Sequence, residues 1–142
     1  MASQSDDFSR RLLWHGVFVF LLGLLSGLAM LGGNGIYQNL RLALSSHLVG
    51  VTTGMFLLIA GLMWHRLQLT APLAAAGFWS ALYGAYGNWI ATFLGAVMGT
   101  GSMTAIAATG YQAAPWQESL VATLLATSGT CALAACVIFL WG

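Results

Sequence analysis

LLWHGVFVFLLGLLSGLAML, residues 12 to 31, runs for 20 positions without an Asp, Glu, Lys or Arg. A helix of that length spans about 30 Å, the thickness of a bilayer's hydrocarbon core. Arg10 and Arg11 precede it, as they would a secretory leader. The apolar run is too long for a leader's core and no A-x-A site follows, so it reads as a retained span. Gly32, Gly33, Asn34 and Gly35 then break the helix.

The rest of the chain repeats the pattern. Apolar runs extend from about Leu42 to Trp64, Pro72 to Met98 and Ser119 to Leu140. Of 142 residues 59% are hydrophobic and 5% charged, against about 25% charged in a soluble domain. The expected fold is all-α: one membrane domain over residues 1–142, a four-helix bundle with spans at 12–31, 42–64, 72–98 and 119–140. Trp64, His65 and Arg66 mark one interface, Trp141 another, and Pro72 suits the opening turn of a helix. A Gly-, Ser- and Thr-rich stretch from Gly99 to Pro115 joins the last two spans.

Four Lys and Arg against three Asp and Glu leave a formal charge of +1, which offers no basic stripe to nucleic acid. Arg10, Arg11 and Arg66 fall on one side of the expected bundle and Arg41 on the other, which predicts cytoplasmic termini. Small residues recur at helical spacing: Gly23 with Gly27, Gly50 with Gly54, and Gly77, Ala81, Gly84, Asn88, Gly95 and Gly99 along the third span. Close backbone approach drives helix association in lipid, so a dense bundle and an oligomer are expected. Cys131 and Cys136, five apart, lie on different faces of one helix and read as small hydrophobes.

Polar residues at membrane depth are candidates for function. His15, beside the arginine pair, and His65, beside Arg66, read as wetted anchors. His47 lies about 8 Å into the second span with no acidic neighbour in sequence, so it is either a hydrogen-bonded packing residue or a metal ligand. A lone histidine cannot build a structural zinc site but is enough to hold a haem iron from one side. Tyr83, Tyr86, Asn88 and Trp89 form a second patch, read either as packing or as an aromatic pocket with an orienting amide. Thr52 and Thr53 offer hydroxyls that in such helices usually bond their own i−4 carbonyls. The spans carry no carboxylate, which removes paired-acid catalysis and proton relays, and no GxSxG supports a hydrolase.

The stretch from Asn39 through Arg41, Ser45, Ser46 and His47 to Gly50, continuing over Gly54-Met55-Phe56-Leu57 to Gly61-Leu62-Met63-Trp64, resembles hydroxylaminobenzene mutases and, more distantly, styrene oxide isomerases. Tyr83-Gly84 to Asn88-Trp89 resembles the mutase third-span motif, and the likeness covers most of the chain from Arg11 onward. The resemblance implies a homotrimer in a bacterial inner membrane, with ferric haem b bound between protomers and His47 as axial ligand. It further implies that the iron acts as a Lewis acid while an arylhydroxylamine becomes an aminophenol. Arg41 would pair with a haem propionate, and Asn88, Tyr83, Tyr86 and Thr53 would contact a small aromatic substrate.

The pattern departs at Thr53, where the family motif has asparagine, and at Val49, where the mutases carry an acidic residue. The isomerases' third-span tyrosine falls on Thr92 or, in another register, on Ala91. Two other readings stand beside the mutase: epoxide isomerisation to an aldehyde, and a haem-binding or structural membrane subunit without turnover. A small transporter or channel subunit is weaker, since the spans carry no charged pathway.

Overall fold

The computed structural model describes residues 2–32 and 35–142, with side chains from residue 6 onward. Gly33 and Asn34 of the expected helix-breaking stretch lie outside the described residues. Four long helices follow one another: α1 Ala2–Leu31, α2 Leu40–Met63, α3 Ala71–Met98 and α4 Pro115–Trp141, with one 3₁₀ turn at Trp64–Arg66 after α2. Among the described residues there is no strand.

Three helices, α1, α2 and α4, are long and apolar enough to cross a membrane. Expectation had four. At 28 residues and with no charged side chain α3 is long enough, but its glycines, Asn88 and the aromatic patch lower its hydropathy. It is also the helix with the most buried positions, wedged between α2 and α4.

The termini of the helices have local causes. α1 begins ten residues before the expected span, because Asp7 pairs with Arg10 at 3.3 Å and Arg11 at 2.9 Å across one turn. Asn39, fully buried, caps α2: its Oδ1 accepts the Arg41 and Leu42 backbone N–H groups. Its Nδ2 donates to the Ala107 carbonyl, and its backbone N–H donates to Ala96 on α3. One residue thus ties the start of α2, the end of α3 and the connection to α4. α3 stops at Gly99, whose φ of +68° is a left-handed conformation that favours glycine. α4 opens at Pro115, four residues earlier than expected, with Gln117 accepting the Ala114 N–H.

Glycines decide which helices touch. α1 and α2 pack as an antiparallel pair in which the two GxxxG motifs interlock. A Cβ on Gly23 would lie 2.6 Å from the Val51 nitrogen, and one on Gly54 2.6 Å from the Phe20 nitrogen. α3 and α4 pair in the same way, with Gly84 against Ala132 and Gly87 against Ser128. At the end carrying both termini, Phe8 stacks on Phe78 at 4.6 Å, and Trp64 meets Phe8 and Phe139 edge-on at 5.7 Å each. That aromatic knot joins all four helices, so the chain enters and leaves at the same end.

Candidate functional site

His47 projects from α2 into a notch on α1. A Cβ at Gly27 would lie 2.6 Å from its Nδ1, so only glycine leaves room for the ring. Nδ1 is 2.8 Å from the Gly23 carbonyl oxygen. A carbonyl only accepts, so the hydrogen-bond partner places the proton on Nδ1. Nε2 then carries the lone pair in the neutral ring, and among the described residues it has no partner. This is the arrangement of a ligating histidine, in which a backbone acceptor on one nitrogen orients the other.

α3 and the connection between α1 and α2 close round the same turn of α1. Trp89 of α3 donates its indole N–H to the Ser26 hydroxyl at 3.2 Å, and Ser26 in turn donates to the Leu22 carbonyl. The Tyr37 hydroxyl donates to the Ser26 carbonyl at 3.1 Å. The Trp89 ring also presses on Gly50, where an added Cβ would stand 2.8 Å from Cδ1. Ser26 escaped the sequence reading, although a serine between Gly23 and Gly27 in an apolar run is itself a polar residue at membrane depth.

The remaining expected residues are dispersed. Arg41 is exposed, has no carboxylate partner among the described residues, and borders a cavity of about 590 Å³ with Tyr37, Gln38, Thr109 and Tyr111. Thr109 and Tyr111 bring the 99–115 connection to that cavity, and Glu118 holds the connection in place. Its carboxylate accepts the backbone N–H groups of Gly101, Ser102 and Ala113 at 2.9 to 3.1 Å. Arg41 is six residues from His47, about 9 Å along the helix axis. Thr53, six residues the other way, lies about 240° round the helix from His47 and donates to the Val49 carbonyl.

Asn88 is half-buried next to Trp89, and its side-chain amide makes no hydrogen bond among the described residues. Tyr83 and Tyr86 point to different neighbours. The Tyr83 hydroxyl bonds Thr127 of α4, whereas that of Tyr86 meets Nδ1 of His15 on α1, both at 2.8 Å. His15 is eight residues, or about 12 Å, from Gly23 along α1. The structure therefore separates the two tyrosines from His47. His15 is half-buried and paired with Tyr86, a partner not apparent in the sequence; His65 is exposed, 3.6 Å from Asp6.

Among the described residues no three His, Cys, Asp or Glu side chains gather to hold a metal ion.

The styrene oxide isomerase family model matches residues 8–142. The chain is 44% identical over 141 residues to hydroxylaminobenzene mutase HabB of Ectopseudomonas oleovorans, covering 99% of this chain and 84% of that protein. It is 38% identical over 128 residues to hydroxylaminobenzene mutase HabA of the same organism, covering 89% and 92%. No solved structure matches. With the family matched over nearly its whole length, this chain belongs to the styrene oxide isomerase family and is an isomerase.

Proposed function

We propose that the protein is a membrane-embedded mutase that converts an arylhydroxylamine into an aminophenol, with His47 as the axial ligand of a haem b. The observation that carries this reading is the 2.8 Å bond from His47 Nδ1 to the Gly23 carbonyl, which fixes the ring with Nε2 free. The residues present fit the group: one imidazole oriented by a backbone acceptor, with Gly27 leaving room for its ring. His47 would hold such a group, which would supply Lewis-acid chemistry at an N–O bond without an acidic side chain.

The chain's own residues supply orientation and dryness. Gly23 retains the Nδ1 proton and so keeps the imidazole from donating through Nε2. Trp89 and Tyr37, anchored on Ser26, wall the turn with aromatic surface that keeps water from a cationic ring intermediate. Asn88, beside Trp89 and with its amide uncommitted, is placed to orient the substrate nitrogen. Arg41, without a carboxylate partner among the described residues, would be available to a haem carboxylate. Thr53, Tyr83 and Tyr86 are left out of the reaction centre, because their hydroxyls meet Val49, Thr127 and His15 and not the turn of α1 that holds His47.

The mutase is preferred to epoxide isomerisation because both relatives, matched over most of their length, carry that name. The same proposal includes a fourth crossing by α3, cytoplasmic termini, a bacterial inner membrane and a homotrimer. In one chain Leu133, Val137 and Leu140 of α4 are 70%, 63% and 87% exposed, surface that lipid or a further copy must cover.

The test is the visible spectrum of the purified protein with and without added hemin, beside an assay of phenylhydroxylamine turnover to 2-aminophenol. A Soret band and turnover, both lost in His47→Ala, are expected. A protein that stays colourless with hemin, or a His47→Ala variant that keeps both properties, refutes the ligand. Turnover of styrene oxide but not phenylhydroxylamine refutes the mutase.

A further inference from the structure

Beside α1 and α3, near the end that carries the termini, lies a groove of about 390 Å³ that the reading above does not use. Arg11, His15, Phe78, Trp79, Tyr83 and Tyr86 line it. Phe78 is 1% exposed and forms a rigid floor, while Trp79 and Tyr83, 62% and 44% exposed, stand as outer walls. Its volume falls in the range of small-molecule sites, about 300 to 1,000 Å³. Arg11 is already paired with Asp7 at 2.9 Å, so the groove does not present a free cation to an anionic ligand.

The polar equipment is the His15–Tyr86 pair. Whichever partner donates in their 2.8 Å bond, the Tyr86 oxygen keeps a free lone pair. His15 Nε2 has no partner among the described residues and is not sealed off by protein. An acyl chain filling the groove leaves both sites unmet, at a cost in a low-dielectric setting. A flat ring stacks on Trp79, Tyr83 and Phe78, and a hydroxyl or amino group on that ring both donates and accepts at one end.

We propose that this groove is a second binding site, for a neutral single-ring aromatic molecule bearing a hydroxyl or amino group. It stands apart from His47 and does not depend on the haem reading. Such compounds partition into bilayers, and the exposed Trp79 and Tyr83 walls leave the groove accessible without passage through the bundle.

The experiment is a ¹⁹F NMR titration of the full chain in lipid nanodiscs with 4-fluorophenol, with fluorobenzene as the ring lacking the polar group and empty nanodiscs as the baseline. Saturable 4-fluorophenol binding is expected, weakened about tenfold in Tyr86→Phe through loss of one hydrogen-bonding hydroxyl. Fluorobenzene should bind more weakly and be indifferent to that change. Trp79→Ala, at an exposed position that does not threaten folding, should weaken both probes. Binding should survive His47→Ala. Uptake no greater than into empty nanodiscs overturns the proposal, as does wild-type affinity in both Tyr86→Phe and Trp79→Ala. Loss of binding in His47→Ala with retention in Tyr86→Phe also overturns it, because the probe would then sit at the other site.

Discussion

Gly23 and Gly50 meet backbone to backbone: a Cβ built on Gly50 would stand 2.5 Å from the Gly23 Cα. Nothing at that contact is the end of a flexible side chain, so an added methyl has nowhere to go. In lipid, where apolar surface alone does not hold helices together, such contacts supply the association of α1 with α2. The same turn of α1 carries the acceptor for His47, so packing and site geometry share one set of atoms.

Gly50→Ala should therefore destabilise the protein by about 1–3 kcal/mol, the usual cost of overpacking, in reversible unfolding from mixed micelles. Gly129→Ala is the matched control. No atom lies within 4 Å of a Cβ placed there, and the change gains helix propensity, so stability should hold or rise. Equal losses in the two variants would show that the α1–α2 contact does not carry the bundle.

Gly27→Ala tests the notch without removing the imidazole. The new Cβ, 2.6 Å from Nδ1, must push the ring off the Gly23 carbonyl. Loss of such an orienting partner typically costs about 10–100-fold in metal affinity. Hemin titration followed at the Soret band should show a weakening of that order with helix content unchanged by circular dichroism. Unchanged hemin affinity would mean that the Nδ1 bond does not orient a ligand.

Much of the architecture can be read from the chain because an apolar run has one solution in a bilayer, a helix. The spans at 42–64 and 72–98 agree with α2 and α3 to within two residues at each end. The glycine motifs could be read as contact surfaces, but the pairing of Gly23 with Gly50 could not, since spacing on one helix does not name the other. His47 stood out because nothing near it in sequence neutralises it. Its acceptor lies 24 residues away on a backbone carbonyl, which no side-chain pattern reveals. The partner of His15 was hidden for the same reason: Tyr86 is 71 residues distant. Tyr83 and Tyr86, three apart and so on neighbouring flanks of α3, do line one groove, but the sequence could not show that their hydroxyls reach Thr127 of α4 and His15 of α1.

Asn39→Ala should loosen the end of the bundle opposite the termini. The change removes the α2 cap and the bond to Ala107 together, from a side chain with no exposed surface. A lost cap alone costs about 1 kcal/mol, and the Arg41 and Leu42 N–H groups are left without it. Hydrogen exchange should speed up in the first turn of α2 and around Ala107, while the aromatic knot of Phe8, Trp64, Phe78 and Phe139 keeps its protection. Uniform acceleration along the chain would argue against a local latch.

Glu118→Gln probes the connection that borders the Arg41 cavity. The carboxylate accepts from Gly101 and Ser102 on one side of the loop and Ala113 on the other, so it staples a segment with little regular structure of its own. A glutamine keeps the shape but turns one acceptor into a donor that must face a backbone N–H. Hydrogen bonds to a charged group contribute about 1.5–3 kcal/mol, so the loop should open at least tenfold more often. Limited proteolysis between residues 101 and 113 reads this directly. Because Thr109 and Tyr111 line the cavity with Arg41, the variant should also weaken any ligand held there, whereas the His47–Gly23 geometry, on other elements, is untouched. Faster cleavage with unchanged hemin affinity would place the cavity outside the haem site; joint loss would make the loop one of its walls.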